Sequence, residues 1–384
     1  MSDDERLSKR DKFLKIKSKV KEVKQVVMSS QQPHYKKEVT RPTRLTGLFP
    51  NTQNPVVFSA PMLGTANGTL AAEVSKAGGF GFIPAGFNFD PASSSGGPDH
   101  LGQLSKELAI ARKLLDLEQA TLTAVPVGVG FILCHESTAS HFVETAIPLL
   151  QEHSPQAVWL FAPRPEDVEA GVIKEIIEKL HDNGFVVFYQ VGTVKAVKEA
   201  VRDGADVIVA QGTDAGGHQF VRGAGTMSFL REVVEVVRGE NERSGREVSV
   251  VGAGGIVDGR GFILAQEATT PAYKQELIAK TTDGASSTFK HTVMDDIQGT
   301  TIWPKIYDGR AIVGDSVEDH INGVPTEENI RLFKEAAEKG ETNRMITWAG
   351  SAVGLVNKIQ PAGEIVKEVR EEALHRIREL QTLF

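Results

Sequence analysis

From residue 55 onward, short runs of β-branched and aromatic residues alternate with stretches of helical periodicity. The runs are VVFSAPM (56–62), FGFIPAG (80–86), PVGVGFI (126–132), AVWLFA (157–162), FVVFYQV (185–191), DVIVAQG (206–212) and SVVGAGG (249–255). Most are apolar at every position, as suits strands buried on both faces of a parallel sheet. Between them lie LAAEVSKAG, LGQLSKELAIARKLLDLEQA, PEDVEAGVIKEIIEKLHDNG, TVKAVKEAVRDG and MSFLREVVEVVRG, which read as helices. Gly78, Gly79, Gly184 and Gly204 stand where helices should end. Seven β–loop–α units in series, with no G-x-G-x-x-G after the first strand, predict an α/β fold of the TIM (β/α)8-barrel type rather than a doubly wound sheet.

An eighth strand is due after residue 270, but TPAYKQELIAKTTDG stands there and reads as a helix. The barrel is therefore expected to be incomplete at strand eight. Beyond it, YKQELIAK, TEENIRLFKEAAEKG and EIVKEVREEALHRIREL predict a largely helical C-terminal region, with WPKIYDGRAI as a loop. The expected divisions are a basic tail (1–46), the barrel (47–270), a mainly helical region over the substrate (271–350), and a C-terminal segment and helix packing on the barrel (351–384).

Charge changes the picture at one end only. Residues 1–46 hold 13 Lys+Arg and 6 Asp+Glu, whereas the other 338 hold 30 and 44. An acidic body argues against nucleic-acid binding. Phe13, Ile16, Val20 and Val23 would share one helix face. Asp3, Asp4, Glu5 and Asp11 argue against a transit peptide, so the cytoplasm is the expected compartment. No apolar run approaches the roughly 18 residues of a membrane span. One cysteine excludes an intramolecular disulfide and a cysteine-based metal site, and no H-E-x-x-H motif suggests another metal.

In such a barrel the chemistry gathers in the loops after the strands. Pro61, Met62, Gly64, Thr65, Asn67 and Gly68 follow the first strand and would let a flat ligand approach the backbone. Gln190 ends the fifth strand, aimed at the mouth, with Thr193 as a helix N-cap. The sixth strand leads into Gln211-Gly212-Thr213-Asp214-Ala215-Gly216-Gly217-His218. There Gly216 and Gly217 bring amides to a ligand, and His218 suits proton abstraction from an acidic carbon. Gly254 and Gly255 after the seventh strand form a glycine-rich anion site suited to phosphate. Each of these has a plain alternative as a tight turn or a structural histidine. Cys134 and His135 are adjacent on a strand end, where side chains diverge, so they predict no thiol–imidazole pair.

The segments APMLGTANG, QVGT, AQGTDAGGH and VVGAGGIVDGRG resemble the nitronate monooxygenases, formerly called 2-nitropropane dioxygenases. PAYKQELI, WPKIYDGRAI and TWAGSAVGLVNKIQPAGEIVKEVREEA are similar to the fungal type. The resemblance covers residues 45–384. It implies FMN at the mouth of a TIM barrel and the oxidation of alkyl nitronates by O2 to carbonyl compounds and nitrite. It implies that Pro61 and Met62 lie against the flavin, Gln190 hydrogen-bonds it, Gly254 and Gly255 take its phosphate, and His218 deprotonates neutral nitroalkanes. The family's eighth strand, with a Gly-Thr-Arg-Phe segment completing the phosphate site, has no counterpart here. Three readings stay open: a nitronate monooxygenase, an FMN-dependent enoyl-thioester reductase, and an inactive isoform without FMN.

Overall fold

The computed structural model describes residues 43–91, 99–120, 123–255 and 261–382. The helix face expected at Phe13–Val23 lies outside them. Seven parallel strands form one sheet: β1 (Phe58–Ser59), β2 (Phe80–Pro84), β3 (Val125–Ile132), β4 (Pro155–Phe161), β5 (Val186–Val191), β6 (Val207–Gln211) and β8 (Ser249–Ala253), in the order 1-2-3-4-5-6-8. These are the seven runs read from the sequence. The helices α2 (Gly68–Lys76), α3 (His100–Leu114), α4 (Ser137–His153), α6 (Val172–Asp182), α7 (Val194–Asp203) and α8 (Thr226–Ser244) stand between successive strands, and a short α5 (Pro165–Glu169) precedes α6. The segment expected as one helix from Pro165 breaks at Gly171, whose φ of 80° starts α6 afresh. Gly78, Gly184 and Gly204 do end helices with positive φ.

One apolar layer lies between the sheet and these helices, built from β-strand residues such as Val127, Val129, Ile208 and Ala210 with Leu104, Phe142, Ile176 and Phe229. The inside of the sheet is filled by rings. Phe82 lies 5.1 Å from both Trp159 and Phe188, and Phe49, just after α1 (Arg44–Leu48), closes the bottom 4.3 Å from Phe80. Gly128 and Gly130 of β3 make room for this packing. A Cβ on Gly128 would lie 2.2 Å from the Phe82 ring, and one on Gly130 would lie 2.2 Å from Pro61.

Among the described residues no strand joins β8 to β1. All five residues of β8 are half-exposed, whereas those of β6 are buried. After β8 the chain forms a 3-10 turn (Phe262–Leu264), makes one bridge from Ala265 to Gln360, and crosses to the loop after β1, where Thr269 N–H donates to Thr65 O at 2.8 Å. The C-terminal helix α14 (Ala362–Gln381) packs Ala362, Ile365 and Val366 on Leu70 and Val74 of α2. That is where the eighth helix of a closed barrel stands, beside the first. Among the described residues the eighth strand is lacking, and a helix suited to the eighth position is present.

The region from Ala272 holds α9 (Ala272–Lys280), α10 (Gly284–Ser287), α11 (Val293–Gln298), α12 (Asp315–Ile321) and α13 (Thr326–Lys339), in keeping with its helical reading. It also contains β9 (Thr288–His291) and β10 (Tyr307–Ile312), which pair antiparallel around β10 with β7 (Gly217–Phe220). The stretch WPKIYDGRAI is thus partly strand. Asp308, Gly309 and Arg310 break its β-pattern, and only the tertiary partners on both sides make it a central strand.

Candidate active site

The loops after β1, β5, β6 and β8 lie at the C-terminal end of the sheet, and the three-stranded sheet carries His218 onto that end. Its pairing sets the histidine opposite Gly309 of β10, and Gln211 at the end of β6 donates through Nε2 to His218 O at 3.0 Å. The imidazole stacks on Trp303, with centroids 3.7 Å apart and planes 11° from parallel, and Trp348 lies 4.8 Å away on a tilt. A Cβ at Gly309 would meet Trp348 at 2.4 Å, so glycine there lets this tryptophan approach the strand.

His218 Nε2 lies 2.8 Å from Asp295 Oδ1, which also accepts from Thr300 Oγ1 at 2.7 Å. The side chains of His218 and Asp295 are 16% and 8% exposed. Where Asp295 is ionised it only accepts, so Nε2 donates to it and a neutral ring keeps its lone pair on Nδ1. No described residue hydrogen-bonds Nδ1. Asp295 opens α11, a short helix fixed by Val293, Met294 and Ile297 in a small core with Ala311 and Val317. Sequence reasoning missed Asp295, Trp303 and Trp348. The usable signal was that two of only three tryptophans lie beyond the last barrel strand. Nothing in the sequence separates Asp295 from Asp296.

Cys134 is 3% exposed, and burial pushes its thiol up to about 12, with the Asp295 carboxylate adding to the rise. The His135 ring instead meets Ser137 Oγ at 2.7 Å, so no thiol–imidazole pair forms.

The other expected residues divide. Pro61 rests against Gly130 at the barrel mouth, while Met62 packs beside Val57, Leu70 and Phe262. Gly64 has a φ of 74° and nothing within 4 Å of where a Cβ would be. Gln190 is buried and accepts from Trp159 Nε1 at 2.9 Å, and its amide nitrogen bonds no described residue. On the adjacent strand, Gln211 keeps a buried Oε1 without a partner. These two carboxamides offer a donor and an acceptor suited to the polar edge of a flavin ring.

The phosphate side is less complete. Gly254 and Gly255 have φ of 83° and 66°, and a Cβ on either would strike the Asp214–Ala215 turn. Gly216 packs on Ala349 and Gly350, and Gly217, with a φ of 70°, faces open space. Asp214 Oδ2 accepts from Thr226 N at 2.7 Å, filling the start of α8 with a carboxylate. The residues fit a flavin ring, while among the described residues no further strand stands beside β8 and its Gly254–Gly255 turn, the place expected for phosphate. Among the described residues no cluster of His, Cys, Asp and Glu could hold a metal ion, and no helix is long and apolar enough to cross a membrane.

The family model described as nitronate monooxygenase matches residues 168–372, more than half of the chain. A nitronate monooxygenase of Neurospora crassa is 50% identical over 364 residues, covering 88% of this chain and 94% of its own length. Since 364 aligned positions exceed 88% of 384 residues, that relative has residues with no counterpart here. Nitronate monooxygenase npaC of Metarhizium robertsii is 32% identical over 350 residues, covering 85% of this chain and 92% of its own. FabK from Thermotoga maritima matches the fold with a TM-score of 0.63 at 20% identity, over 90% of this chain and 100% of its own. The nitroalkane oxidase from Streptomyces ansochromogenes does so with 0.59 at 21%, over 88% and 100%. With half its residues shared with the Neurospora protein across most of both chains, this chain belongs to the nitronate monooxygenase family.

Proposed function

We propose that this protein oxidises alkyl nitronates with O2 to carbonyl compounds and nitrite, using FMN, and that it accepts neutral nitroalkanes after removing their α-proton. The observation that carries this reading is the His218–Asp295 pair under Trp303 at the mouth of the barrel. The names of the Neurospora and Metarhizium relatives favour it over a thioester reductase. We place the enzyme in the cytoplasm on the acidic residues of its N-terminal segment. We also keep the divisions at 46, 270 and 350 as functional regions, because the segment from 271 to 350 supplies Asp295, Trp303 and Trp348.

Nδ1 of His218 takes the α-proton of a neutral nitroalkane and holds it, while Asp295, already bound to Nε2, balances the new positive charge. Trp303 fixes the ring plane, and Trp303 and Trp348 together keep water from the imidazole faces. A substrate that arrives as the nitronate has no α-proton to lose and does not need this step. Pro61, Gly64, Gln190 and Gln211 would hold the flavin ring, and Gly254 and Gly255 its phosphate. The chemistry FMN supplies when bound is electron exchange between nitronate and oxygen. The test is the visible spectrum of the purified, FMN-reconstituted protein, with nitrite measured after adding ethyl nitronate under air. Flavin absorbance with nitrite release supports the proposal. A protein that holds no flavin and releases no nitrite overturns it in favour of the inactive isoform.

A further inference from the structure

A cavity of about 360 Å³ opens beside the mouth between α5 and α7. This lies within the usual range for small-molecule sites, about 300–1,000 Å³. None of the residues proposed for the reaction lines it. Its inner wall is Phe220 and Tyr307, whose rings lie 4.9 Å apart, and the Tyr307 hydroxyl donates to Pro163 O at 3.1 Å. Beyond that wall, Phe161 lies 5.7 Å from Tyr307 and Trp303 lies 6.3 Å from it, so rings separate the cavity from His218.

Three features together describe an occupant. Tyr189 lines the cavity and is 4% exposed, yet its hydroxyl makes no hydrogen bond to a described residue. On a side chain otherwise buried, it is a donor that faces the cavity with no protein acceptor. The lip is apolar: Val221 and Ile306, each 41% exposed, stand side by side, with Val221 N–H donating to Ile306 O at 2.8 Å. Next to them in sequence are Arg222 and Lys305, and among the described residues neither has an ion-pair partner. Of the other charges on the lining, Lys195 and Glu199 pair with each other at 3.5 Å, which leaves Glu169 as the one unpaired acid against two cations.

We propose that this cavity binds a small organic anion with an apolar body, its anionic group at Arg222 and Lys305 and a hydrogen-bond acceptor at its far end on the Tyr189 hydroxyl. The body lies along Val221, Ile306 and Phe220. The site is separate from the reaction site, and its argument does not depend on the proposed activity.

The test is direct binding, by calorimetry at low salt and without O2, so that turnover of the site next door plays no part. The probes are 4-acetylbenzoate, 4-ethylbenzoate and methyl 4-acetylbenzoate, which vary the acceptor and the charge separately. The expected order places 4-acetylbenzoate tightest. The double variant Arg222→Glu/Lys305→Glu should weaken both acids by at least about tenfold and leave the neutral ester unchanged. Tyr189→Phe should erase the preference for the acetyl over the ethyl compound while leaving the salt dependence. Ala196→Phe, which fills the cavity, should abolish all binding. The proposal is overturned if the ester binds as well as the acid, if the charge and cavity variants bind like the parent, or if a nitronate displaces the probe competitively. Loss of nitronate turnover in the wild-type protein would sink the proposed function and leave these binding results standing.

Discussion

Replacing Asp295 with asparagine tests the proposed base most sharply. The carbonyl of an asparagine side chain can keep both hydrogen bonds that Asp295 Oδ1 accepts, from His218 Nε2 at 2.8 Å and Thr300 Oγ1 at 2.7 Å. The change therefore removes charge and leaves the geometry. Its effect should fall on the state in which His218 carries the extra proton. Losing the charge assistance of one hydrogen bond costs about 1–1.5 kcal/mol, the difference between bonds to charged and to neutral groups. Two unit charges with centres about 4 Å apart at an effective dielectric of about 20 set an upper bound of about 4 kcal/mol. Between these limits, at about 1.4 kcal/mol per factor of ten, kcat/KM for neutral nitroethane should fall by about 10- to 1,000-fold. Turnover of preformed ethyl nitronate should not change, because that substrate brings no proton to remove. The assay is nitrite release from each substrate under air, at fixed pH, with the flavin content of both proteins matched. An equal fall for both substrates would show that Asp295 only holds the fold. An unchanged rate with nitroethane would refute the base assignment itself.

Other predictions follow from the same contacts. With no further strand beside Gly254 and Gly255 among the described residues, the protein should bind riboflavin nearly as well as FMN in fluorescence titrations, and a strong preference for FMN would mean the phosphate site is complete. Gly130→Ala should lower stability by about 1–3 kcal/mol through the forced contact with Pro61, read as a shift in the urea midpoint; an unchanged midpoint refutes the packing argument. Burial pushes the Asp206 carboxyl up, but the bonds from His181 Nε2 and Val187 N–H, both 2.9 Å, and the Arg44 charge outweigh it, so the net shift is downward from 3.8. Its contribution to stability is therefore whole above pH 3.8 and is lost as pH falls from there through the lowered native value. Asp206→Asn should flatten that acid limb in denaturation midpoints measured against pH, and an unaltered limb counts against the pair. Cys134, with its thiol pushed up to about 12, should react with iodoacetamide at pH 8 far more slowly in the native protein than in urea, and equal rates would contradict its burial.

Much of the fold was legible because a parallel barrel writes its strands as fully apolar runs and its helix ends as glycines. All seven runs became strands, and the lack of an eighth among the described residues was readable because nothing after Gln266 runs apolar as the other barrel strands do. The loops bearing Pro61, Gln190, His218 and Gly254 could be placed from the sequence for the same reason: in this architecture a strand's end is the mouth. Two strands, Thr288–His291 and Tyr307–Ile312, could not be read, since Lys290, Asp308 and Gly309 spoil any two-residue alternation.

By itself, the sequence determined the series of β–loop–α units, the side of the sheet that carries the loops, the histidine set among glycines and the missing strand, all from local periodicity and residue type. Only the tertiary structure decided which nitrogen of His218 is free, because that depends on an aspartate 77 residues away. It also decided that the face of the imidazole is covered by Trp303 and that the Gly254–Gly255 turn packs against Asp214 and Ala215. Hydrogen bonds and stacking across such sequence distances are fixed by how the sheets dock, and no pattern of neighbours along the chain records them.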